Sequence, residues 1–359
     1  MYKLFPAIDV FIEKAELRFG KVIIAVFIGF FFLLLASLFS AIRLETFYHG
    51  NGFTRLSLNP FETTSENDLR FRILSPLLGH FLFFRGPAFK YFMLIILALF
   101  FGAVYFYQRK EKLFPTEAIG ITALCVFSTL SFYQLYFPAY TDPLSFLLIL
   151  LFMFNYKNIY LATLLLLLML FNHENNLFLF PFFFLLIANG DFKLKKLLKI
   201  TMYFLIAIIP YIIYRKIISS QAEIAFNVSY YFDPHNMQWT REHVMPHLLA
   251  GFFQAFRLFW IFPLFAISIN IYEKRHIEIM LILVVIIFVL TQLSIAWDIS
   301  RLIGMAFPAI LISARRAREF FGTKRFLWMI YSIILINFFI PAYCIGALDP
   351  IPYAPFWLK

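Results

Sequence analysis

Long apolar blocks, broken by short clusters of charge, run along almost the whole chain. Cutting at those clusters leaves eleven runs, roughly 21–43, 87–108, 115–137, 143–155, 158–172, 177–190, 198–214, 249–271, 277–297, 302–314 and 326–346. A membrane-spanning helix takes about 20 apolar residues, fewer when one end is recessed. The pattern therefore predicts an all-α transmembrane bundle of about eleven spans in a single membrane domain covering residues 1–359. The first run is too long, and lacks the small-residue cleavage site, for a removed signal peptide, so it reads as an uncleaved anchor. Before it, Phe5, Ile8, Phe11 and Ile12 oppose Asp9, Glu13 and Lys14, which predicts an amphipathic segment over 1–20 lying on the membrane surface.

Composition agrees and excludes a soluble chain: 62% of the 359 residues are hydrophobic, 14% are charged and 51 are Phe. Cys125 and Cys344 both sit in apolar runs and define neither a disulfide framework nor a metal site. The net charge of +11 by itself suits nucleic acid, an anionic membrane or an anionic substrate. Its placement decides. With the N-terminus inside, the inner segments and their helix ends hold 19 Lys+Arg and 9 Asp+Glu, and the outer ones 12 and 11. Positive charge favours the cytoplasmic side, so the expected topology is N-terminus cytoplasmic and C-terminus outside. The excess charge orients the protein, and nucleic acid is not an expected partner.

The outer segments differ in kind from the short basic inner loops. They comprise long loops at 44–86 and 215–247, and short turns TyrThrAspPro (140–143), AsnHisGluAsn (172–175) and AspIleSerArg (298–301). Six of the seven histidines are on this side. The runs 143–155, 177–190 and 302–314 cover only about 20 Å at 1.5 Å per residue, against a hydrocarbon core near 30 Å. Basic residues fix their inner ends, so the shortfall falls at the outer ends. This predicts Asp142, His173, Glu174, Asp298 and Arg301 in a recessed polar funnel, where ionisable groups mark function because burying them is costly.

Each signal has a plainer structural reading beside the functional one. Glu45 follows the first span and is placed to act as a general base, or to pair with Arg43. Arg70 and Arg72 suit a phosphate, since a guanidinium binds two oxygens at once, or they snorkel at the interface. Asp142, before Pro143, complements a helix dipole. AsnHisGluAsnAsn (172–176) is the densest polar insertion; position 177 is Leu, so it is not a HisGluxxHis zinc helix. Asp298 and Arg301, three apart, pair with each other, or leave Arg301 for a ligand. The aromatic, His-rich 230–243 segment suits a sugar face or the membrane interface equally, and AsnValSer (227–229) fits a glycosylation sequon.

Together these pieces resemble the polytopic GT-C-type glycosyltransferases. The carrying features are Glu45 with the 44–86 loop, LeuArgPheArgIleLeuSerProLeuLeu (69–78), TyrThrAspProLeu (140–144), the HisGluAsnAsn turn before Pro181, and AspIleSerArg (298–301). The likeness covers most of the chain by topology, on short motifs. It departs where many relatives carry Asp-Gly in the first loop and this chain has Asn51 before glycine. The resemblance implies transfer of a sugar from a polyprenyl-phosphate donor to a glycan, lipid or protein acceptor, at the outer face of a bacterial plasma membrane. Glu45, or Asp68 or Asp142, would be the base. Arg70, Arg72, Arg301 and His173 would hold the donor phosphate. Glu174, Asn175, Asp298, His49 and Asn51 would line the substrate path. No cofactor is demanded, although carboxylates beside a phosphate can recruit Mg²⁺. Two alternatives stay open: a polysaccharide polymerase or ligase using a lipid-linked oligosaccharide, and a transporter or flippase. The latter is disfavoured because no internal repeat is visible and the polar groups gather on one side.

Overall fold

A computed structural model describes residues 4–40, 43–62, 67–221, 233–294, 298–346 and 350–353. Among these the chain is all-α apart from a two-residue antiparallel pair, β1 (Tyr343–Cys344) and β2 (Ile351–Pro352). The helices are α1 (Leu4–Phe19), α2 (Lys21–Phe39), α3 (His49–Leu58), α4 (Asn67–Arg70), α5 (Leu74–Phe81), α6 (Phe89–Lys110), α7 (Pro115–Val126), α8 (Thr129–Tyr136) and α9 (Asp142–Asn155). They continue as α10 (Ile159–Asn172), α11 (Phe180–Ala188), α12 (Leu194–Ser220), α13 (Pro234–His243), α14 (Leu248–Phe256), α15 (Ile261–Tyr272), α16 (His276–Thr291), α17 (Ile299–Ile303) and α18 (Phe307–Phe339).

The expected apolar runs are helical, as chains of Leu, Ile and Phe must be where only an intrasegment ladder can satisfy the backbone. The count of eleven spans is corrected. By length and composition four helical segments can cross a membrane: Lys21–Phe39, Gly86–Lys110, Leu194–Ser220 and Met237–Tyr272. A fifth follows if α7 and α8, bent by 53° across a short break, act as one. The helices at 142–155, 159–172, 174–188 and 276–291 are apolar but shorter. The runs 302–314 and 326–346 are not separate spans either. They fall largely in the 33-residue α18, which is kinked at Gly322 (φ 72°), a conformation only glycine adopts at no cost.

Small residues let α2 and α6 approach closely. Ala25 and Gly29 on α2 face Ala98 and Gly102 on α6; a Cβ added at Gly29 would lie 2.1 Å from the Ala98 carbonyl oxygen. Such stripes let backbones meet and replace the missing hydrophobic drive between helices in lipid. Helix α1 docks through charge. Glu16 accepts hydrogen bonds from Tyr105 (2.7 Å) and Arg109 (2.6 Å), both on α6. Asp9 accepts from the Thr116 backbone N–H (2.8 Å), so α1 supplies a cap for the exposed amides that open α7. Burial raises the Asp9 carboxyl above its ordinary range. For Glu16 burial acts in the same direction, but the Arg109 and Tyr105 bonds outweigh it and hold the group below that range.

A second charged contact holds the break between α7 and α8. Arg257, between α14 and α15, donates through Nη1 to the Ile340 carbonyl (2.7 Å) and through Nη2 to the Phe127 carbonyl. Phe127 ends α7 and Ile340 ends α18, so one guanidinium satisfies helix-end carbonyls that lack intrahelical partners.

Candidate functional site

Asp142 opens α9 but does not cap it. Its carboxylate turns away from the free amides and accepts from Arg301 Nε (2.9 Å) and Nη2 (3.1 Å), and from Gln134 Nε2 (3.2 Å). The third nitrogen, Arg301 Nη1, donates to Asp298 Oδ2 at 2.8 Å. The guanidinium also lies over the rings of Tyr140 (4.9 Å) and Tyr133 (5.3 Å), where the ring quadrupoles favour a cation. Asp142 and Arg301 are buried. The Asp298 side chain keeps 41% of its exposure, and its Oδ1 has no hydrogen-bond partner among the described residues.

His173 joins this group to a second ion pair. Its Nε2 is 3.4 Å from Arg301 Nη2, and its Nδ1 is 3.6 Å from Glu174 Oε2. Glu174 in turn is gripped by Arg72, with Nε at 3.2 and 3.1 Å from the two oxygens and Nη2 at 2.6 Å from Oε1. The polar insertion at 172–176 divides by role. Asn172 accepts from Ser75 Oγ (2.5 Å) and donates to the Thr141 carbonyl (2.9 Å) and Ser145 Oγ (2.8 Å). Asn176 donates to Ser145 Oγ and to the Met169 and His173 carbonyls. These two asparagines tie α5, α9 and α10 together, while His173 and Glu174 carry the charge contacts. Asn175 adds a backbone N–H to His173 Nδ1 at 3.2 Å.

Arg70 and Arg72 lie on either side of Phe71, and the chain turns after α4, with the Arg72 N–H bonded to the Leu69 carbonyl. Arg70 is only 3% exposed. Its Nη2 donates to Gln221 Oε1 (3.0 Å), its carbonyl accepts from the Tyr214 hydroxyl (2.7 Å), and its Nη1 has no partner among the described residues. Arg215 stacks on the Phe71 ring at 4.0 Å. The cluster thus has two lobes. Around residues 70–72 are three guanidiniums: Arg72 on the carboxylate of Glu174, Arg70 on the Gln221 amide and Arg215 on the Phe71 ring. Around Arg301, two carboxylates, Asp142 and Asp298, face one guanidinium. His173 stands between the lobes.

No protein-family model and no curated protein matches the chain.

The remaining expected residues are placed less centrally. Glu45 is exposed in the loop before α3, which is held by the Arg43 N–H on the Leu135 carbonyl (3.1 Å). His49 meets the edge of the Tyr140 ring at 6.1 Å, one residue removed from Arg301. Asn51 is exposed and accepts from Thr46 Oγ1. The side chain of Asp68, the sequon at 227–229 and the aromatic positions 230–232 lie outside the described residues. Among those described, no three His, Cys, Asp or Glu side chains converge as a metal site.

Sequence reasoning missed Tyr133, Gln134 and Arg215. The first two sit inside what reads as a continuous apolar run, and only the bend between α7 and α8 brings them to the cluster. Arg215 closes an apolar run, where any basic residue reads as a helix-end anchor.

Proposed function

We propose that the chain is a membrane glycosyltransferase that moves a sugar from a polyprenyl-phosphate donor to an acceptor hydroxyl, as the GT-C resemblance implies. It would sit in a bacterial plasma membrane with its N-terminus cytoplasmic and this site on the outer face. The observation that carries the reading is the two-lobed buried cluster, above all the unpartnered Nη1 of Arg70. A buried guanidinium nitrogen without an acceptor is costly, and a phosphate oxygen supplies that acceptor with favourable charge.

In this reading Arg70, aided by Arg72 and Arg215, binds the donor phosphate and offsets charge on it as it leaves. Arg301 is committed to two carboxylates and acts instead as their fixed counter-ion. Asp298 is the better-placed base than Glu45 or Asp142, because it alone among the described carboxylates combines a place in the cluster with exposure and a bare oxygen. Its Oδ1 takes the acceptor proton. The acceptor oxygen bonds to the anomeric carbon, the bond from that carbon to the phosphate oxygen breaks, and the lipid phosphate departs. One displacement with no covalent enzyme intermediate inverts the anomeric centre.

Membranes containing the chain, supplied with radiolabelled lipid-linked sugars, test this by the appearance of label in acceptor. Arg70→Ala is expected to lower transfer on the order of a hundredfold or more, the loss typical of one stabilising donor. Asp298→Asn is expected to lower it by about a hundredfold or more, as loss of a general base does. Glu45→Gln should remain within severalfold of the parent. Full activity in both Arg70→Ala and Asp298→Asn refutes the assignment.

A further inference from the structure

A groove that shares no lining residue with these lobes runs between α1, the residues flanking α7 and the second limb of α18. It consists of two cavities of about 370 Å³ and 530 Å³ that share Phe5, Leu327 and Trp328 as walls. The smaller has a polar mouth: Asp9 and Glu13 on α1, and Thr323 and Lys324 on α18. The larger is almost wholly apolar, running past Tyr331 and Leu335 to Phe39, Phe127 and Phe338. From Lys324 to Phe338 a helix rises about 21 Å at 1.5 Å per residue. One leaflet is about half of a 30 Å hydrocarbon core. The groove is therefore long enough for an acyl chain and charged at one end only.

The mouth selects among headgroups. Asp9 and Glu13 lie one helical turn apart and share a face of α1. Asp9 already caps α7 through Thr116, while Glu13 keeps 44% of its side-chain exposure beside Arg109 (3.5 Å). Lys324 stands on the opposite wall. A fatty acid would bring a third carboxylate to this end and be repelled. A headgroup carrying both a phosphate and a primary ammonium matches the two walls, the ammonium donating to the carboxylate and the phosphate meeting the lysine.

We propose that this groove binds one phospholipid from the leaflet on which α1 lies, its phosphoethanolamine headgroup between Glu13 and Lys324 and one acyl chain along the Leu327–Phe338 wall. The site is independent of the transfer reaction and fastens α1 to α18.

Trp328 lines both cavities and is 44% exposed, which makes it the reporter. The purified full chain is reconstituted in vesicles containing lipids with brominated acyl chains and ethanolamine, choline or glycerol headgroups. Quenching in the parent minus quenching in Trp328→Phe isolates this site. The ethanolamine lipid is expected to quench at a mole fraction about fivefold lower than the other two, the worth of one good interfacial ion pair. A Glu13→Gln/Lys324→Gln variant is expected to quench equally with all three. If Trp328→Phe does not fold, Leu335→Trp places a second reporter in the larger cavity and repeats the comparison. Equal quenching by the three lipids in the parent reduces the groove to ordinary boundary lipid and overturns the proposal. So does a preference for the anionic glycerol lipid, and so does the absence of quenching at Trp328, which would mean that protein covers the groove.

Discussion

Removing the Asp142 carboxylate tests the reading of the cluster most directly. In Asp142→Ala, Arg301 loses the carboxylate that accepts from Nε and Nη2 and retains the more exposed Asp298 and a 3.4 Å contact with the neutral-ring nitrogen Nε2 of His173. Both members of the pair are 93% shielded at the side chain, each keeping 7% exposure. Stranding one member of such a pair costs about 3–5 kcal/mol. At roughly 2 °C per kcal/mol for a chain of this size, the melting midpoint should fall by about 6–10 °C. The double variant Asp142→Leu/Arg301→Met removes both charges and fills the space with apolar atoms. It should return to within about 4 °C of the parent, the remaining loss coming from the Gln134 amide left without its acceptor. The chain carries its own assay. Cys125 and Cys344 are both buried free thiols, so a thiol-reactive fluorophore reports their exposure as detergent-solubilised protein is heated. A midpoint for Asp142→Ala within about 2 °C of the parent refutes the buried pair. A double variant that melts no higher than the single one refutes the view that stranded charge is the cause.

Three further outcomes follow from the fold. Gly29→Val should separate α2 from α6 and cost about 1–3 kcal/mol by overpacking, read as a lower melting midpoint, because its Cβ meets the Ala98 carbonyl and Gly102 amide. Arg257→Lys should cost about 1.5–3 kcal/mol, since a single ammonium replaces two guanidinium nitrogens that serve carbonyls of different helices; the same thiol assay measures it. Glu16, whose folded carboxyl lies below its ordinary value near 4.3, gives stability that is fully present above that value and lost as pH falls through the lower folded value. Protection of the α1 amides, their exchange rates taken relative to the intrinsic rate at each pH, should therefore stay constant from pH 8 to about 5 and fall only in stronger acid. In Glu16→Gln that acid-dependent step should vanish.

The helices were legible in the sequence, but their ends and partners were not. Residues 315–325 read as a basic inner loop because five of the eleven are Lys or Arg. They are largely helical because those charges find acceptors elsewhere in the chain: Arg315 on Glu111, Arg316 on Asn270 and Glu273, and Arg318 on the fully buried Glu117. A local charge run cannot reveal acceptors that are some forty to two hundred positions away. The bend at residues 127–128 was invisible for the same reason. Phe127 and Ser128 belong to an apolar run, and the donor that satisfies the Phe127 carbonyl stands 130 positions later, at Arg257.

The cluster shows the complementary case. Its charged members were legible because a carboxylate or guanidinium between apolar runs needs a compensating group. Compensation, however, is a property of pairs, and Asp142 and Arg301 are 159 positions apart. Read singly, Asp142 was a helix cap or a base, and Arg301 a partner of Asp298 or a phosphate ligand; the structure keeps the Asp298 pairing and adds a bond between Asp142 and Arg301 that neither reading contained. Read singly, Arg70 was half of an Arg70–Arg72 pair, yet Arg72 has Glu174 while Arg70 keeps a nitrogen with no partner among the described residues. The near-neutral charge counted for the expected outer segments concealed this arrangement. In space Arg72 holds Glu174 on one side of His173, in the turn that also carries Arg70 and the Phe71 ring under Arg215, and the carboxylates of residues 142 and 298 hold Arg301 on the other. A lipid phosphate favours the first and an acceptor proton the second, so separation of charge, and not its total, is what would let one cluster bind a leaving group and activate a nucleophile.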